Sequence, residues 1–112
     1  MLHEALVASE LLEKKNIFVK VVNFPWLNSV HSGWLKEGIG EIKTVLILED
    51  HALFGGLSDT LVRQAVTDGL TCGRKFMILG IEGAPAWGRP WEVLKYHKVN
   101  GESITEKILK NL

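Results

Sequence analysis

Cysteine is nearly absent from this chain of 112 residues. Cys72 stands alone, so no internal disulfide can form, and no metal-ligand spacing surrounds it. The expected compartment is therefore a reducing cytoplasm. An excess of either charge is also lacking: thirteen basic residues balance thirteen acidic ones. That neutrality argues against nucleic acid or an anionic membrane as the main partner, because both demand a basic surplus. The longest apolar runs are strand-sized, too short for a transmembrane helix. No secretory signal opens the chain, since Met1 to Lys15 reads as an amphipathic helix carrying Glu4, Glu10 and Glu13. Internal repeats and low-complexity tracts are missing too. Neither Gly38-Ile39-Gly40 nor Gly55-Gly56 belongs to a P-loop or a Gly-x-Gly-x-x-Gly fingerprint.

What is present is a globular composition, 46% hydrophobic, at a length that suits one domain. Leu2, Ala5, Leu6, Ala8, Leu11 and Leu12 recur at helical spacing, which predicts a helix over 2–15. No Ser, Thr, Asp or Asn precedes it, the opening expected of a chain cut inside a domain. Residues 17–22 are rich in β-branched side chains and predict a strand that Pro25 ends. Ser29 to Glu37 predicts a second helix, closed by Gly38 or Gly40. Residues 44–48 form an almost continuous apolar strand of the kind found in parallel sheets. A helix over Leu57–Gly69, a strand over Phe76–Ile81 and a loop rich in Gly and Pro follow. Helices over Trp91–His97 and Ser103–Leu112 close the chain, with Ser103 and Glu106 spaced as a capping box. Alternating strands and helices imply an α/β fold: a mainly parallel sheet between helical layers, here with three strands.

Ligands and partners of such sheets meet the carboxyl ends of the strands. Three segments leave those ends: Asn23 to Asn28, Glu49 to Gly56, and Glu82 to Arg89. The second is the sharpest, with Glu49, Asp50 and His51 crowding the end of a strand. Gly55 and Gly56 then lead into a helix whose free amide groups can hold an anion. Close helix–sheet packing is the alternative reason for two glycines. His51 is a candidate general base or a contact to a partner chain. His3, His31 and His97 show no ligand spacing. Cys72 lies beside Arg74 and Lys75, yet no catalytic histidine is tied to it. Trp26, Trp34, Trp87 and Trp91 fall in or near loops, either closing the edges of the core or marking an interface.

Taken in order, these segments resemble a known family. Leu48-Glu49-Asp50-His51 followed by Phe54-Gly55-Gly56-Leu57 is similar to the strand, acid-acid-His, Gly-Gly, helix signature of the transketolase C-terminal domain. That domain is shared by transketolase, deoxyxylulose-phosphate synthase and 2-oxoacid dehydrogenase β subunits. Glu4 to Glu13 and Ile17 to Asn23 look like its first helix and second strand, and Ile78 to Ile81 like the strand before its Gly/Pro loop. Gly88 to Tyr96 and Ile104 to Ile108 are similar to its closing helices. The family domain opens with a strand that is absent here. The family's acid beyond the proline of the second strand, and its Pro-acid pair after the later one, are replaced by Trp26-Leu27-Asn28 and by Glu82 to Pro85. The resemblance implies a parent enzyme that transfers ketol units between sugar phosphates with thiamine diphosphate and a divalent metal. Both cofactors lie in other domains, and no Gly-Asp-Gly motif occurs here. This chain is then expected to bind no cofactor and to catalyse nothing alone. It is expected to pack against other domains or subunits, as a homodimer, with Glu49, Asp50, His51, Gly55, Gly56 and Arg89 as interdomain or anion contacts. A stand-alone small-anion-binding or protein-interaction domain is the alternative.

Overall fold

The computed structural model describes Met1–Leu112. Seven elements follow one another: α1 (Leu2–Glu13), α2 (Ser32–Ile39), β1 (Thr44–Ala52), α3 (Leu57–Thr67), β2 (Lys75–Ile81), α4 (Pro90–Tyr96) and α5 (Gly101–Leu109). No helix is long and apolar enough to cross a membrane. β1 and β2 pair in parallel, with Thr44 opposite Lys75 and Leu48 opposite Leu79. The return from the end of β1 to the start of β2 requires a crossover, and α3 supplies it.

Strand alternation sorts the sheet's side chains onto two faces. Val45, Ile47 and Phe76 pack with Leu35 and Ile39 of α2 and with Leu61 and Ala65 of α3. Met77, of the opposite parity, shares a cavity wall with Leu12 of α1 and Ile104 of α5. Helices thus flank a parallel sheet on both sides, as the α/β expectation required. α1 and α5 are held to each other at close range. The Gly101 N–H donates to Glu4 Oε2 at 2.7 Å, and a Cβ on Gly101 would lie 2.5 Å from Val7 Cγ1. This contact sets the start of α5, whose first N–H groups have no partner within the helix. The capping box expected at Ser103 and Glu106 is accordingly corrected: Ser103 lies inside α5, and Asn100 is the N-cap without a side-chain bond. The comparable bond sits at α4, where the Arg89 N–H donates to Glu92 Oε2 at 2.9 Å.

The strand expected over residues 17–22 is also corrected. Residue 17 donates its N–H back to Leu12 of the preceding turn, and residues 18–30 make no backbone–backbone hydrogen bond. β-branched residues favour extended backbone, but a strand exists only where a neighbour completes its ladder. The sheet therefore has two strands instead of three. β1 runs four residues further than expected, and its end is irregular: Leu48 to Ala52 spans four steps opposite two from Leu79 to Ile81. The extra residues fold over Gly80, where a Cβ would meet the His51 carbonyl oxygen at 2.9 Å. That close approach is what the absent side chain of Gly80 permits.

Leu12 and Ile104 are 0% and 2% exposed and carry the α1–α5 side of the core. Replacing Ile104 with Ala should lower the unfolding free energy by roughly 2–5 kcal/mol, the range for large-to-small core changes. The urea midpoint should fall without a change of slope. Leu109→Ala, on the exposed side of α5, should move the midpoint far less.

Candidate functional site

The end of β1 and the start of α3 form one joint, and Glu49 is its pin. Counting by two from Val45 and Ile47 brings Glu49 to the face covered by α3. It is 6% exposed there. The Ser58 hydroxyl donates to Glu49 Oε1 at 2.5 Å, and the Ser58 N–H lies 3.5 Å from Oε2. Ser58 is itself fully buried. The N-cap of α3 is Gly56, which has no side chain to cap with, so the carboxylate of Glu49 serves from a different element. A negative group at the first turn of a helix is also favoured by the helix dipole. Gly56 is required for the joint, because a Cβ there would fall on Glu49 Oε2. Gly55 has a second role. Its φ of +74° is left-handed, and its N–H donates to Asp59 Oδ2 at the first turn of α3.

Two amide groups at this joint, Gly55 of the turn and Ser58 of the first turn of α3, thus meet carboxylates of this chain. Glu49 faces inward and is not placed to touch a neighbouring domain. Asp50 and His51 differ: both are exposed, and His51 Nδ1 lies 2.7 Å from the Ala52 carbonyl oxygen. Phe54 stands 88% exposed on the same turn. β2 is parallel to β1, so the loop after β2 leaves the same edge of the sheet. It carries Trp87, 99% exposed, and Arg89, whose guanidinium lies 5.2 Å from the ring centre of Trp91. His97 shapes this loop from behind, its Nε2 accepting the Ala86 N–H at 3.0 Å.

Asp50 and His51 are thus exposed at the end of β1, and Arg89 is exposed at the far end of the loop after β2. Phe54 had not been singled out from the sequence; a large aromatic directly before a glycine turn was the available signal. The tryptophans do not close the core: all four are exposed, and Trp26 and Trp34 lie 5.9 Å apart between ring centres. Cys72 is exposed, and the Arg74 side chain beside it bonds the carbonyls of Gly40, Ile42 and Leu70. No three His, Cys, Asp or Glu side chains converge as metal ligands would. What the edge offers is charge, hydrogen-bonding capacity and exposed aromatic area, the ingredients of a contact surface.

Known proteins match this arrangement over almost its full length. The sequence model described as "Transketolase, C-terminal domain" matches residues 1–104. A protein of Methanocaldococcus jannaschii named as a transketolase C-terminal section is 29% identical over 110 residues, covering 97% of this chain and 33% of that protein. Human transketolase is 28% identical over 109 residues, covering 96% of this chain and 17% of the enzyme. The 1-deoxy-D-xylulose-5-phosphate synthase of Clostridium kluyveri is 26% identical over 113 residues, covering 98% of this chain and 18% of that protein. Among solved structures, a chain titled "Split gene transketolase, inactive beta4 tetramer" superposes with a TM-score of 0.83 at 19% identity. That likeness covers 97% of this chain and 35% of the other, and it carries the fold. The chain thus spans a third or less of the curated relatives it matches.

The joint makes a direct prediction. Gly56→Ala should destabilise the protein by roughly 1–3 kcal/mol through overpacking against Glu49. In the Glu49→Ala background the same change should be nearly neutral. A double-mutant cycle in urea should show coupling of about 1 kcal/mol or more between the two positions. Additive effects would mean that Glu49 and Gly56 do not share the joint.

Proposed function

The chain belongs to the transketolase C-terminal domain family, and from that membership we propose that it is the docking domain of a thiamine diphosphate-dependent transketolase-type enzyme. The parent enzyme would transfer ketol units between sugar phosphates. This domain would pack against its other domains or subunits, in a homodimeric assembly in the cytoplasm, and would be inactive alone. The observation that carries the reading is the division of labour at the end of β1. Glu49 is locked inside by Ser58, whereas Asp50, His51 and Phe54 are exposed at the end of β1, and Trp87 and Arg89 are exposed on the loop after β2. An exposed edge that mixes aromatic and charged side chains suits a partner protein.

Thiamine diphosphate and its divalent metal do not fit the residues present. A diphosphate–metal site needs several oxygen ligands on one centre, and no such group of side chains converges here. No step of the ketol transfer is therefore assigned to this chain. A separate small-anion-binding activity has less support, because carboxylates of the chain already meet the N–H groups of Gly55 and Ser58.

The purified chain, supplied with thiamine diphosphate, magnesium, a ketose phosphate and an aldose phosphate, should show no ketol transfer. Turnover above the protein-free rate would overturn the docking assignment. In an enzyme assembled with this domain, Asp50→Lys combined with Arg89→Glu should weaken association at least tenfold by analytical ultracentrifugation. The urea midpoint of the isolated domain should stay within error, since both residues are exposed. Unchanged association would count against this edge as the docking surface.

A further inference from the structure

Asn100-Gly101 is the single Asn-Gly pair of the chain. Such a pair carries its own chemistry. The glycine nitrogen, once its proton has passed to water or hydroxide, attacks the asparagine Cγ. The N–Cγ bond forms as the Cγ–Nδ2 bond breaks, and Nδ2 leaves as ammonia with a proton from water. The five-membered imide then takes up one water at either carbonyl and opens to aspartate or to isoaspartate. Nothing is oxidised or reduced. Glycine favours the first step because it has no side chain to hinder the approach of its nitrogen.

The fold sets this pair at the joint between α1 and α5. Asn100 is the N-cap of α5, yet its side chain makes no capping bond. An N-cap asparagine ordinarily accepts an N–H of the first turn, which fixes its side chain. Here Oδ1 is buried without a hydrogen-bond partner in the chain, so no bond to that oxygen anchors the side chain. The nitrogen is anchored instead. The Gly101 N–H donates to Glu4 Oε2 at 2.7 Å. A carboxylate at that distance opposes loss of the proton, because the product would be a second negative charge beside it. Val7 crowds the Gly101 Cα, where a Cβ would lie 2.5 Å from Val7 Cγ1. Ring closure also needs the asparagine Cβ and the glycine nitrogen nearly eclipsed across the Cα–C bond. The Asn100 ψ of 162° holds them well apart.

We propose that Asn100 is a self-modification site kept unreacted by the docking of α1 on α5. Glu4 and Val7 hold the Gly101 nitrogen off the Asn100 side chain, and release of α1 frees it to close the ring. Elements of a folded protein open locally at less cost than global unfolding. The rate of the reaction is then the reactivity of a free Asn-Gly pair multiplied by the fraction of molecules in which α1 stands open. Isoaspartate makes the release one-way. Its main chain runs through Cβ and Cγ and is one carbon longer, so the Gly101 N–H no longer meets Glu4 where α5 begins. A contact between two helices thus doubles as the guard of a bond-breaking step that records its loss.

The test incubates the complete chain at mildly alkaline pH, in buffer and in urea. The tryptic peptide Val99–Lys107 is followed by mass spectrometry and by enzymatic methylation of isoaspartate. Deamidation should be at least tenfold slower in the folded chain than in urea, and equal rates would overturn the proposal. Glu4→Ala should raise the folded-state rate at least tenfold and leave the rate in urea unchanged. Glu4→Gln, which keeps an acceptor oxygen, should fall between. An unchanged rate in Glu4→Ala would overturn the guard, and a lower one would overturn it by making Glu4 the base that draws the proton. Asn100→Gln should abolish the reaction, and its persistence would overturn Asn100 as the site. Leu61→Ala trims the core cluster on the α2 and α3 side and leaves the α1–α5 contact in place. Acceleration by Leu61→Ala as large as that by Glu4→Ala, at matched urea midpoints, would overturn the proposal in favour of global unfolding. The isoaspartate form, separated by ion exchange, should show a lower urea midpoint than the parent, and an unchanged one would overturn the one-way release.

Discussion

The bond between Glu49 and Ser58 is the constraint from which the exposed edge follows. A strand that ends and a helix that begins must be joined at a fixed angle if the loop between them is to present anything reproducibly. Here a carboxylate from the strand reaches under the first turn of α3 and takes hydrogen bonds from the Ser58 hydroxyl and N–H. A buried carboxylate is destabilising unless such donors meet it. The same geometry demands Gly56, since nothing larger fits beside Glu49. With both ends of the loop fixed, residues 50–55 have to travel around the outside. Asp50, His51 and Phe54 are thereby exposed.

Much of this was legible in the sequence, and the misses have physical causes. The cores of β1, α3 and β2 follow from period and composition, because their apolar residues have a sheet and helices to pack on. Residues 17–22 carry an equally good strand pattern, yet pairing is a property of two segments and no neighbour completes a ladder with them. Glu49 was read with Asp50 and His51 as one acidic cluster. Parity separates them: Glu49 falls in step with Val45 and Ile47 and so lies under α3, whereas beyond it β1 loses regular register with β2. The displaced capping box has a similar cause. Ser103 and Glu106 have the right spacing, but the long-range contact of Gly101 with Glu4 and Val7 begins α5 two residues earlier.

The histidines and the cysteine show how local partners decide between chemistry and structure. His97 accepts a backbone N–H and fixes the turn at Ala86. Arg74, the cation beside Cys72, is committed to three carbonyls that close the β1 and β2 approaches. His51 approaches only the carbonyl of its neighbour. None of the three is set against a nucleophile or an acid that would turn it to catalysis.

The sheet itself is a slight support for the helices around it. Two strands make a narrow support, and only 16 of 112 residues are buried. The radius of gyration is 14.0 Å, against about 13 Å for a compact domain of this length. The looseness is not spread evenly. α2 and α3 cover one face of the sheet in a continuous cluster, and α1 and α5 are bound closely to each other. Between them lies an apolar space lined by α1, residues 17–24 and Thr44–Leu48 of β1.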